Sequence, residues 1–310
     1  MTSNVFIDGG VGTTGLEIRD RLNDRAEFAL VSLEEDKRKV LAARSEAINS
    51  ADFVILCLPD EAAKEAVSLI ENPATRVIDA SSAHRTAPDW VFGFAEFRKG
   101  QREKITEARF VSNPGCYPTG FLGLVAPLVA SGLLPVDWPY SVNAVSGYSG
   151  GGKDLIARFA DESNIGARSY GLNLQHKHMP EMKRHAGLAH DVVFAPMVVR
   201  AYRGMLVEVP LNLAAMGVGA GAGDLIAALE GHYRDSKIVS VTDGDGINEL
   251  LLSENDPPTD RLELFVFAND QGDQVRLVAR LDNLGKGAAG NAVQCLNLMA
   301  GLDETAGLRL

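Results

Sequence analysis

The chain opens with a short apolar segment that runs directly into a glycine-rich turn. Residues 4–8 have the pattern of a buried strand, the turn GGVGTTG occupies residues 9–15, and a helical pattern follows over residues 16–22. A strand, a glycine-rich turn and a helix in this order are typical of dinucleotide-binding folds, in which the backbone approaches a pyrophosphate at a helix N-terminus. The spacing of the glycines departs from the commoner G-x-G-x-x-G, and a flexible turn is the alternative. The cofactor residues predicted here are Gly9, Gly12, Thr13, Thr14 and Gly15.

Strand and helix patterns then alternate as far as residue 130. The apolar runs at 52–58 and 76–79 are nearly continuous, as in parallel strands that are buried on both faces. We therefore predict an α/β fold in which residues 1–116 form a Rossmann-type doubly wound parallel sheet. In the following part apolar and polar residues alternate along longer strands, which predicts an α+β catalytic and oligomerisation domain with a mostly antiparallel sheet over residues 117–285.

The end of the chain returns to a helical pattern. Small residues recur between Gly285 and Gly290, which would let a helix pack closely against a neighbour. We expect a helix over residues 286–310 that completes the dinucleotide-binding domain and places Asn291 near the nicotinamide ring.

Composition limits the function classes. The formal net charge is −11, from 30 basic and 41 acidic residues, which argues against nucleic acid or an anionic membrane surface as a partner. Three cysteines that lie far apart favour a reducing compartment without a disulfide framework. No run of about 18 apolar residues occurs, and a strand follows the N-terminus at once. We therefore expect a cytoplasmic protein without a membrane span or a signal peptide.

One of these cysteines, Cys116, follows the Pro114-Gly115 bend and precedes a long apolar helical run. The bend would place Cys116 in the first turn of that helix, where unpaired backbone N–H groups and the helix dipole favour an anion. A free thiol has a pKa of about 8.5, and such a position lowers it. The pattern indicates a nucleophilic thiolate, and the alternative is a small buried hydrophobic residue.

A candidate base for the thiol lies in the stretch His176-Lys177-His178-Met179-Pro180-Glu181. His178 and Glu181 are three residues apart at a predicted helix start, so Glu181 could orient one ring nitrogen and leave the other for proton transfer. A metal site is a second interpretation, because His-x-His beside a glutamate can bind metal. No third ligand at a metal-binding spacing is evident, so we predict no metal, with His178, His176 and Glu181 as catalytic candidates.

Several polar residues are candidates for holding an anionic ligand. Ser81 and Arg85 follow the strand at 76–79, at the sheet edge where such folds bind ligands. Ser149 and Lys153 belong to the loop SGYSGGGK at 146–153, whose backbone N–H groups could bind an anion. Arg85 and Arg203 could bind a carboxylate or phosphate through a bidentate fork, although a solvated surface role is the alternative for any single arginine. The predicted substrate-binding residues are Arg85, Asn113, Ser149, Lys153 and Arg203.

The charged run at residues 34–39 follows the second predicted strand, where this fold meets the adenosine ribose. An acid there would bind a ribose hydroxyl and a base would pair with a 2′-phosphate. Both kinds of residue are present, so the local sequence does not choose between NAD and NADP.

Four stretches together resemble the N-acetyl-gamma-glutamyl-phosphate reductase family of the semialdehyde dehydrogenase superfamily. They are SNPGCYPTG at 112–120, GGVGTTG at 9–15, HKHMPE at 176–181 and NLGKGAAGNAVQCLNLMAGLDE at 283–304. The length and the segment DASSAHR at 79–85 resemble the shorter form of that family, and the similarity runs over nearly the whole chain. His84 stands where the longer form carries a phenylalanine, so roles in that loop transfer less directly.

The resemblance implies an NADPH-dependent enzyme of arginine biosynthesis that assembles as a homodimer or homotetramer. It implies a small acyl phosphate substrate, a thioester on Cys116, acid–base chemistry by His178, a pyrophosphate turn at Gly9, Gly12 and Gly15, and a nicotinamide-side Asn291. Two alternatives remain open on the sequence: an aspartate-semialdehyde dehydrogenase with the same thioester chemistry, and a dinucleotide-binding regulator that has lost catalysis.

Overall fold

A computed structural model describes residues 2–310 and divides the chain into two compact units. The first unit comprises the chain up to Ala95, Gly100–Gly115 and Ala288–Leu308, and the second comprises Glu96–Lys99, Cys116–Gly287 and Arg309–Leu310. The assignment of these parts to separate functions, as predicted from the sequence, remains a proposal.

The elements up to residue 112 are β1 Ser3–Asp8, α1 Thr13–Leu22, β2 Phe28–Val31, α2 Leu41–Ser50, β3 Phe53–Leu56, α3 Asp60–Ser68, β4 Arg76–Asp79, β5 Val91–Phe92, α4 Gln101–Glu107 and β6 Phe110–Ser112. From residue 116 they are α5 Cys116–Ala130, β7 Ser141–Gly147, α6 Gly152–Asp161, β8 Ala167–Ser169, α7 Met179–Ala186, β9 Val193–Val199, β10 Met205–Asn212, α8 Ala222–Tyr233, β11 Val239–Thr242, β12 Leu262–Ala268, β13 Gln274–Leu281, a π-helical turn Gly285–Ala289 and α9 Gly290–Met299.

The first unit is built on a parallel sheet with strand order β2-β1-β3-β4-β6-β5. Strand β1 lies between the edge strand β2 and β3, so the strand order reverses beside β1, as in a doubly wound fold. All four residues of β3 are buried, which fits a strand covered on both faces. The predicted Rossmann-type sheet is confirmed, although β5 is too short to have been read from the sequence.

Helix α9 packs in the first unit against α1 and α4. Ala292, Val293 and Leu296 lie in the same buried apolar cluster as Val5 and Ile55 of the central strands. The helix ends at Met299, so the helix predicted over residues 286–310 is too long: the chain forms turns beyond Met299, and Gly301 adopts a positive φ of 71° that favours glycine.

The second unit contains a seven-stranded sheet with the order β11-β12-β13-β10-β7-β9-β8. The pairs β10–β13, β12–β13, β10–β7 and β8–β9 are antiparallel, whereas β7–β9 and β11–β12 are parallel. The sheet is therefore mixed and mostly antiparallel, in agreement with the predicted α+β class.

Helix α5 is the central helix of this unit. It contacts α7, α8, β10 and β13, and nearly all of its side chains are buried, including Pro127 in its interior. On β10 buried residues alternate with more exposed ones, so that one face of the sheet packs inward. Among residues 2–310 no helix is long and apolar enough to cross a membrane.

Candidate active site and cofactor turn

The glycine turn between β1 and α1 has a geometry that requires glycine at two positions. Gly9 has a φ of +83°, and a Cβ built there would lie 2.2 Å from the Cys57 carbonyl oxygen. A Cβ on Gly15 would lie 2.6 Å from the Gly9 carbonyl oxygen. Gly12 is the N-cap of α1, and no side chain of the described residues caps it. The backbone N–H groups at the start of α1, from Thr13 onward, are therefore available to an anion.

An acidic residue borders this turn and is matched by a buried arginine. Both Nε and Nη2 of Arg44 donate to Oδ2 of Asp8, at 3.0 and 2.9 Å, and Nη1 bonds Glu65 at 2.7 Å. Burial raises the pKa of Asp8, and the hydrogen bonds and charge of Arg44 oppose that rise. Arg44 thus offsets a carboxylate that would otherwise repel a phosphate at the turn.

The loop after β4 is organised by Asp79, which is fully buried. Its carboxylate accepts hydrogen bonds from the backbone N–H and the hydroxyl of Ser81, at 2.8 and 2.7 Å, and lies 2.6 Å from Nδ1 of His84. The His84 ring stacks on Trp90 with centroids 4.2 Å apart. Ser81, a predicted cofactor residue, is thus held at the carboxyl end of β4, and His84 has a specific partner that the sequence did not reveal.

Asn291 is completely buried near the start of α9. Its Nδ2 donates to the Gly93 carbonyl at 2.6 Å and to Oδ1 of Asn113 at 2.7 Å, and Nδ2 of Asn113 donates to the Ala288 carbonyl at 3.0 Å. The buried Oδ1 of Asn291 accepts no hydrogen bond from any residue in the range 2–310. A buried acceptor of this kind needs a donor, and the carboxamide N–H₂ of a nicotinamide is a suitable one.

Arg85 is buried in the same unit and is bound by main-chain carbonyls. Its Nε donates to the Asn113 carbonyl and its Nη2 to the Ala80 carbonyl, both at 2.9 Å. These bonds help to explain how an arginine can be only 8% exposed. The predicted substrate roles of Arg85 and Asn113 stay predictions, because both residues are engaged within the first unit.

The residues of the first unit fit a nicotinamide dinucleotide. The start of α1 would hold the pyrophosphate through backbone N–H groups of Thr13 and Thr14, and the Oδ1 of Asn291 would accept from the carboxamide. The fit rests on two observations of this structure: the glycine turn leaves room for a pyrophosphate, and the buried Oδ1 of Asn291 has no donor among residues 2–310.

In the second unit Cys116 is the first residue of α5, as the sequence predicts. The next residue, Tyr117, packs its ring against both histidines, with centroids 5.9 Å from His176 and 5.8 Å from His178, and against Phe194 at 5.1 Å. The two imidazoles lie 4.7 Å apart. The start of α5 and the histidine pair therefore belong to one aromatic cluster, which brings the predicted nucleophile and its predicted bases into one neighbourhood.

The two histidines differ in their hydrogen bonding. Nδ1 of His176 accepts the backbone N–H of His178 at 3.1 Å, which requires that nitrogen to be unprotonated. His178 is the N-cap of α7 and is only 7% exposed, and Glu181, in the first turn of α7, is 1% exposed. The orienting role of Glu181 stays a prediction. Among the described residues no group of three or more His, Cys, Asp or Glu side chains is arranged to hold a metal ion.

Two tyrosine hydroxyls feel the charge of Cys116. The Tyr170 hydroxyl donates to the Tyr117 hydroxyl at 3.2 Å. Burial, followed by the Cys116 charge, raises the pKa of Tyr170 to about 12, and burial also raises the pKa of Tyr117. Both hydroxyls therefore stay protonated at neutral pH, and the single proton of Tyr170 is used in its bond to Tyr117.

Two of the predicted substrate residues meet at the end of β13. Nδ2 of Asn283 donates to Oγ of Ser149 at 2.9 Å, and Nη1 of Arg203 pairs with Oδ2 of Asp282, also at 2.9 Å. The Oδ1 of Asn283 is buried and has no hydrogen-bond partner within the part of the chain that the structure describes. Lys153, by contrast, is exposed on α6, and its predicted anion contact remains a proposal.

Sequence reasoning missed the segment that supports this region. Lys286 and Glu96 form an ion pair of 2.7 Å in which both side chains are 1% exposed. Gly287 lies against Cys116, and Asn283 supports Ser149. The run GKGAAGN predicts a closely packing helix with Asn291 near the nicotinamide, and no role for Lys286 or Gly287. Two features of the sequence could have drawn attention to this segment. Lys286 stands in a run of small apolar residues, and Gly287 lies two residues after Gly285.

Two family models match the chain. The model described as "Semialdehyde dehydrogenase, NAD binding domain" matches residues 4–108, and the one described as "Semialdehyde dehydrogenase, dimerisation domain" matches residues 116–283. The chain belongs to the semialdehyde dehydrogenase family. The family assignment confirms the superfamily resemblance seen in the sequence and makes the protein an oxidoreductase.

Curated members of this family are similar to the chain over almost its full length. A protein from Trichormus variabilis named N-acetyl-gamma-glutamyl-phosphate reductase is 48% identical and covers 98% of each chain. A protein of the same name from Allorhizobium ampelinum is 50% identical over 96% of this chain and 99% of its own.

Solved structures of the family share the fold. Aspartate semialdehyde dehydrogenase II from Vibrio cholerae has a TM-score of 0.71 at 15% identity, covering 97% of this chain and 99% of that one. The aspartate semialdehyde dehydrogenase from Francisella tularensis has a TM-score of 0.68 at 14% identity, covering 96% of this chain and 100% of that one. At such identity these structures establish the shared architecture alone.

Proposed function

We propose that this protein reduces N-acetyl-gamma-glutamyl phosphate to N-acetylglutamate 5-semialdehyde and phosphate with NADPH, as a step of arginine biosynthesis. The observation that carries the proposal is the placement of Cys116 at the start of α5, with His176 and His178 packed around its neighbour Tyr117. Relatives of 48–50% identity that bear this name support the choice of substrate.

The first chemical step is attack of the Cys116 sulfur on the acyl phosphate carbonyl. A C–S bond forms, the C–O bond to phosphate breaks, and phosphate leaves with the bonding electrons. The start of α5 favours a thiolate because its N-terminal N–H groups and dipole stabilise negative charge. The product is a thioester on Cys116, which accepts hydride far more readily than a carboxylate does.

NADPH, when bound, supplies the hydride that reduces this thioester. We place its pyrophosphate at Gly9, Gly12, Thr13, Thr14 and Gly15, with Ser81 beside the loop after β4, and its carboxamide at Asn291. The orphaned Oδ1 of Asn291 is the feature that favours this end of the cofactor.

The remaining steps are proton transfers and release. His178 donates a proton to the oxygen of the thiohemiacetal on Cys116 and takes it back as the carbonyl re-forms, the C–S bond breaks, and the aldehyde leaves with the sulfur returned to the thiolate. His178 is the group we assign to accept the thiol proton and to donate protons later in the cycle. His176 is less suited to this role because its Nδ1 already accepts the backbone N–H of His178.

The binding of the substrate is assigned to polar residues of the second unit. Ser149, whose Oγ accepts from Asn283, keeps its own hydroxyl proton for a substrate oxygen. Arg203 pairs with Asp282, and its guanidinium is the group we assign to the substrate carboxylate. Lys153 is the weakest of these assignments, because it lies exposed on α6.

The substrate is tested in the oxidative direction with NADP⁺ and phosphate. N-acetylglutamate 5-semialdehyde and aspartate semialdehyde should be compared at equal concentration, and we expect the first to give at least about 100-fold higher kcat/KM. The reverse preference would identify an aspartate-semialdehyde dehydrogenase. Equal use of both would contradict a site built for the N-acetyl substrate.

A regulator without catalysis predicts an inert thiol at position 116. Although Cys57 as a residue is half-buried, burial raises the pKa of its thiol to about 12, so almost none of it is thiolate at neutral pH. Iodoacetamide should therefore modify Cys116 much faster than Cys57 or the buried Cys295. Equal, slow labelling of all three would favour the regulator.

We also propose that the enzyme is a cytoplasmic homodimer or homotetramer. The exposed side of β9 carries Val193 and Met197, which are 49% and 37% exposed, within the segment matched by the dimerisation-domain model. Light scattering should give a multiple of the 33.1 kDa chain mass. Met197→Glu should shift it toward the monomer, and a wild-type mass of one chain would contradict the proposal.

A further inference from the structure

The π-helical turn after β13 approaches Cys116 more closely than any side chain would allow. A Cβ built on Gly287 would lie 2.8 Å from Cβ of Cys116 and 3.3 Å from its Cα, with the Asp282 carbonyl oxygen at 3.1 Å. Real Cβ atoms do not approach another carbon to 2.8 Å, so even alanine at position 287 would require something to move. Cys116 rests directly on the backbone of Gly287.

The turn cannot easily move away from Cys116, because its backbone also packs against a second segment of the chain. A Cβ on Gly285 would lie 1.8 Å from the Thr259 carbonyl oxygen, so the backbone there already touches the chain at Thr259. The backbone N–H groups of Gly285 and Gly287 both donate to the Asp282 carbonyl, at 3.1 and 3.0 Å. The turn is thus held between Thr259 and Cys116.

The buried, charged side chains of Lys286 and Asp282 also hold this turn in place. Nζ of Lys286 pairs with Oε2 of Glu96 at 2.7 Å, and both side chains are buried. Asp282 uses Oδ1 to accept the Leu284 N–H at 2.8 Å and Oδ2 to bind Arg203 at 2.9 Å. These bonds restrain the turn, so the closest clash of a methyl group at position 287 would fall on Cys116.

We propose that Gly287 is a positioning residue for the nucleophile: its lack of a side chain sets where the Cys116 sulfur stands at the start of α5. The catalytic meaning of this inference rests on the proposed function. The position of a nucleophile matters because a misplacement of about 1 Å can cost about 100-fold in rate. A π-helical turn is also a feature that occurs frequently at functional sites.

The matched control is Gly120, a buried glycine on α5, the helix that begins with Cys116. A Cβ built there would lie 2.8 Å from Cγ2 and 2.9 Å from Cβ of Val207, so Gly120→Ala introduces a comparable clash that does not involve Cys116. If overpacking alone mattered, the two variants would lose activity in proportion to their lost stability. If Gly287 positions the thiol, their kinetics will differ at similar stability.

The experiment measures thermal midpoint, NADPH affinity, kcat, KM and the iodoacetamide rate of Cys116 against pH for both variants. For Gly287→Ala we expect kcat to fall about 100-fold or more, NADPH affinity to stay within twofold, and the pH midpoint of alkylation to move. For Gly120→Ala we expect kcat within threefold and an unchanged alkylation profile. Equal kinetic losses in both variants, or a wild-type alkylation profile in Gly287→Ala, would overturn the proposal.

A double-mutant cycle covers the case in which Gly287→Ala is too unstable to assay. Replacing Cys116 with glycine removes the Cβ that the new methyl group meets. The stability lost through Gly287→Ala should therefore be largely regained in the Cys116→Gly background, and an equal loss in both backgrounds would overturn the proposal. If the wild type proves inactive on the proposed acyl phosphate, the proposed function fails, whereas alkylation and the cycle still decide the role of Gly287.

Discussion

The cofactor turn and the surroundings of Cys116 are built in opposite ways. The turn is built by backbone contacts: Gly15 lies against Gly9 and Gly10, and Gly9 lies against Cys57 just after β3. The surroundings of Cys116 bring together segments that are far apart in sequence: the ring of the adjacent Tyr117 packs against His176, and the backbone of Gly287 lies against Cβ of Cys116. The difference means that cofactor binding and thiol chemistry should be separable by single substitutions.

The largest expected effect is from Cys116→Ser. We expect turnover to fall by about 10⁴-fold or more, because a serine hydroxyl is a far poorer nucleophile at neutral pH. NADPH affinity should stay within twofold, since the cofactor turn is built without Cys116. Steady-state kinetics and fluorescence titration measure the two quantities, with Cys295→Ser, in a buried α9 position, as the control that keeps its activity. A serine variant with a near wild-type rate would exclude the thioester.

The second effect distinguishes the two histidines. His178→Ala should lower kcat by about 10²–10⁴-fold through loss of acid–base catalysis. His176→Ala should cost less, because its Nδ1 serves the backbone N–H of His178. The pH dependence of kcat/KM should lose one limb in the His178 variant and keep both limbs in the His176 variant. The opposite pattern would transfer the acid–base role to His176.

The same contrast between the cofactor turn and the surroundings of Cys116 explains which features could be predicted from the sequence. Gly9, Gly12 and Gly15 form one contiguous pattern, so the strand, the turn and α1 were predicted correctly. The position of Cys116 at a helix start was also predicted, because Pro114 and Gly115 define the bend locally. Local patterns suffice where the structure is made by neighbouring residues.

The partners of Cys116 were predicted only in part. The pair Glu96–Lys286 joins residues 190 positions apart, and no local pattern indicates that a lysine in a small apolar run will be buried. The contact of Gly287 with Cys116 depends in the same way on tertiary packing. The length of the final helix was overestimated because its apolar pattern continues past Met299 while Gly301 ends the helix.

The third effect tests how strongly these distant residues depend on each other. Glu96→Gln leaves the buried Lys286 ammonium without its carboxylate and should lower the free energy of unfolding by about 3–5 kcal/mol. The comparison is Glu208→Gln. Glu208 pairs with Arg276, whose side chain is 61% exposed, so loss of this pair should lower the free energy of unfolding by about 0–1 kcal/mol. Urea denaturation of both variants gives the difference. Equal small losses would show that the buried pair adds no stability to the second unit.

The smallest expected effect is from Gly15→Ala. Unlike Cys116→Ser, this variant should lose NADPH affinity and keep the reactivity of the thiol. The new Cβ would lie 2.6 Å from the Gly9 carbonyl and 2.7 Å from Cα of Gly10, so the turn must shift. Strain of this kind costs about 1–3 kcal/mol, so NADPH affinity should fall about tenfold. The rate of iodoacetamide labelling at Cys116 should stay unchanged. Gly231→Ala, on α8 with no atom within 4 Å of the new Cβ, is the control that leaves both unaffected. If Gly15→Ala altered thiol reactivity as much as cofactor affinity, the two sites would not be separable in the way their construction indicates.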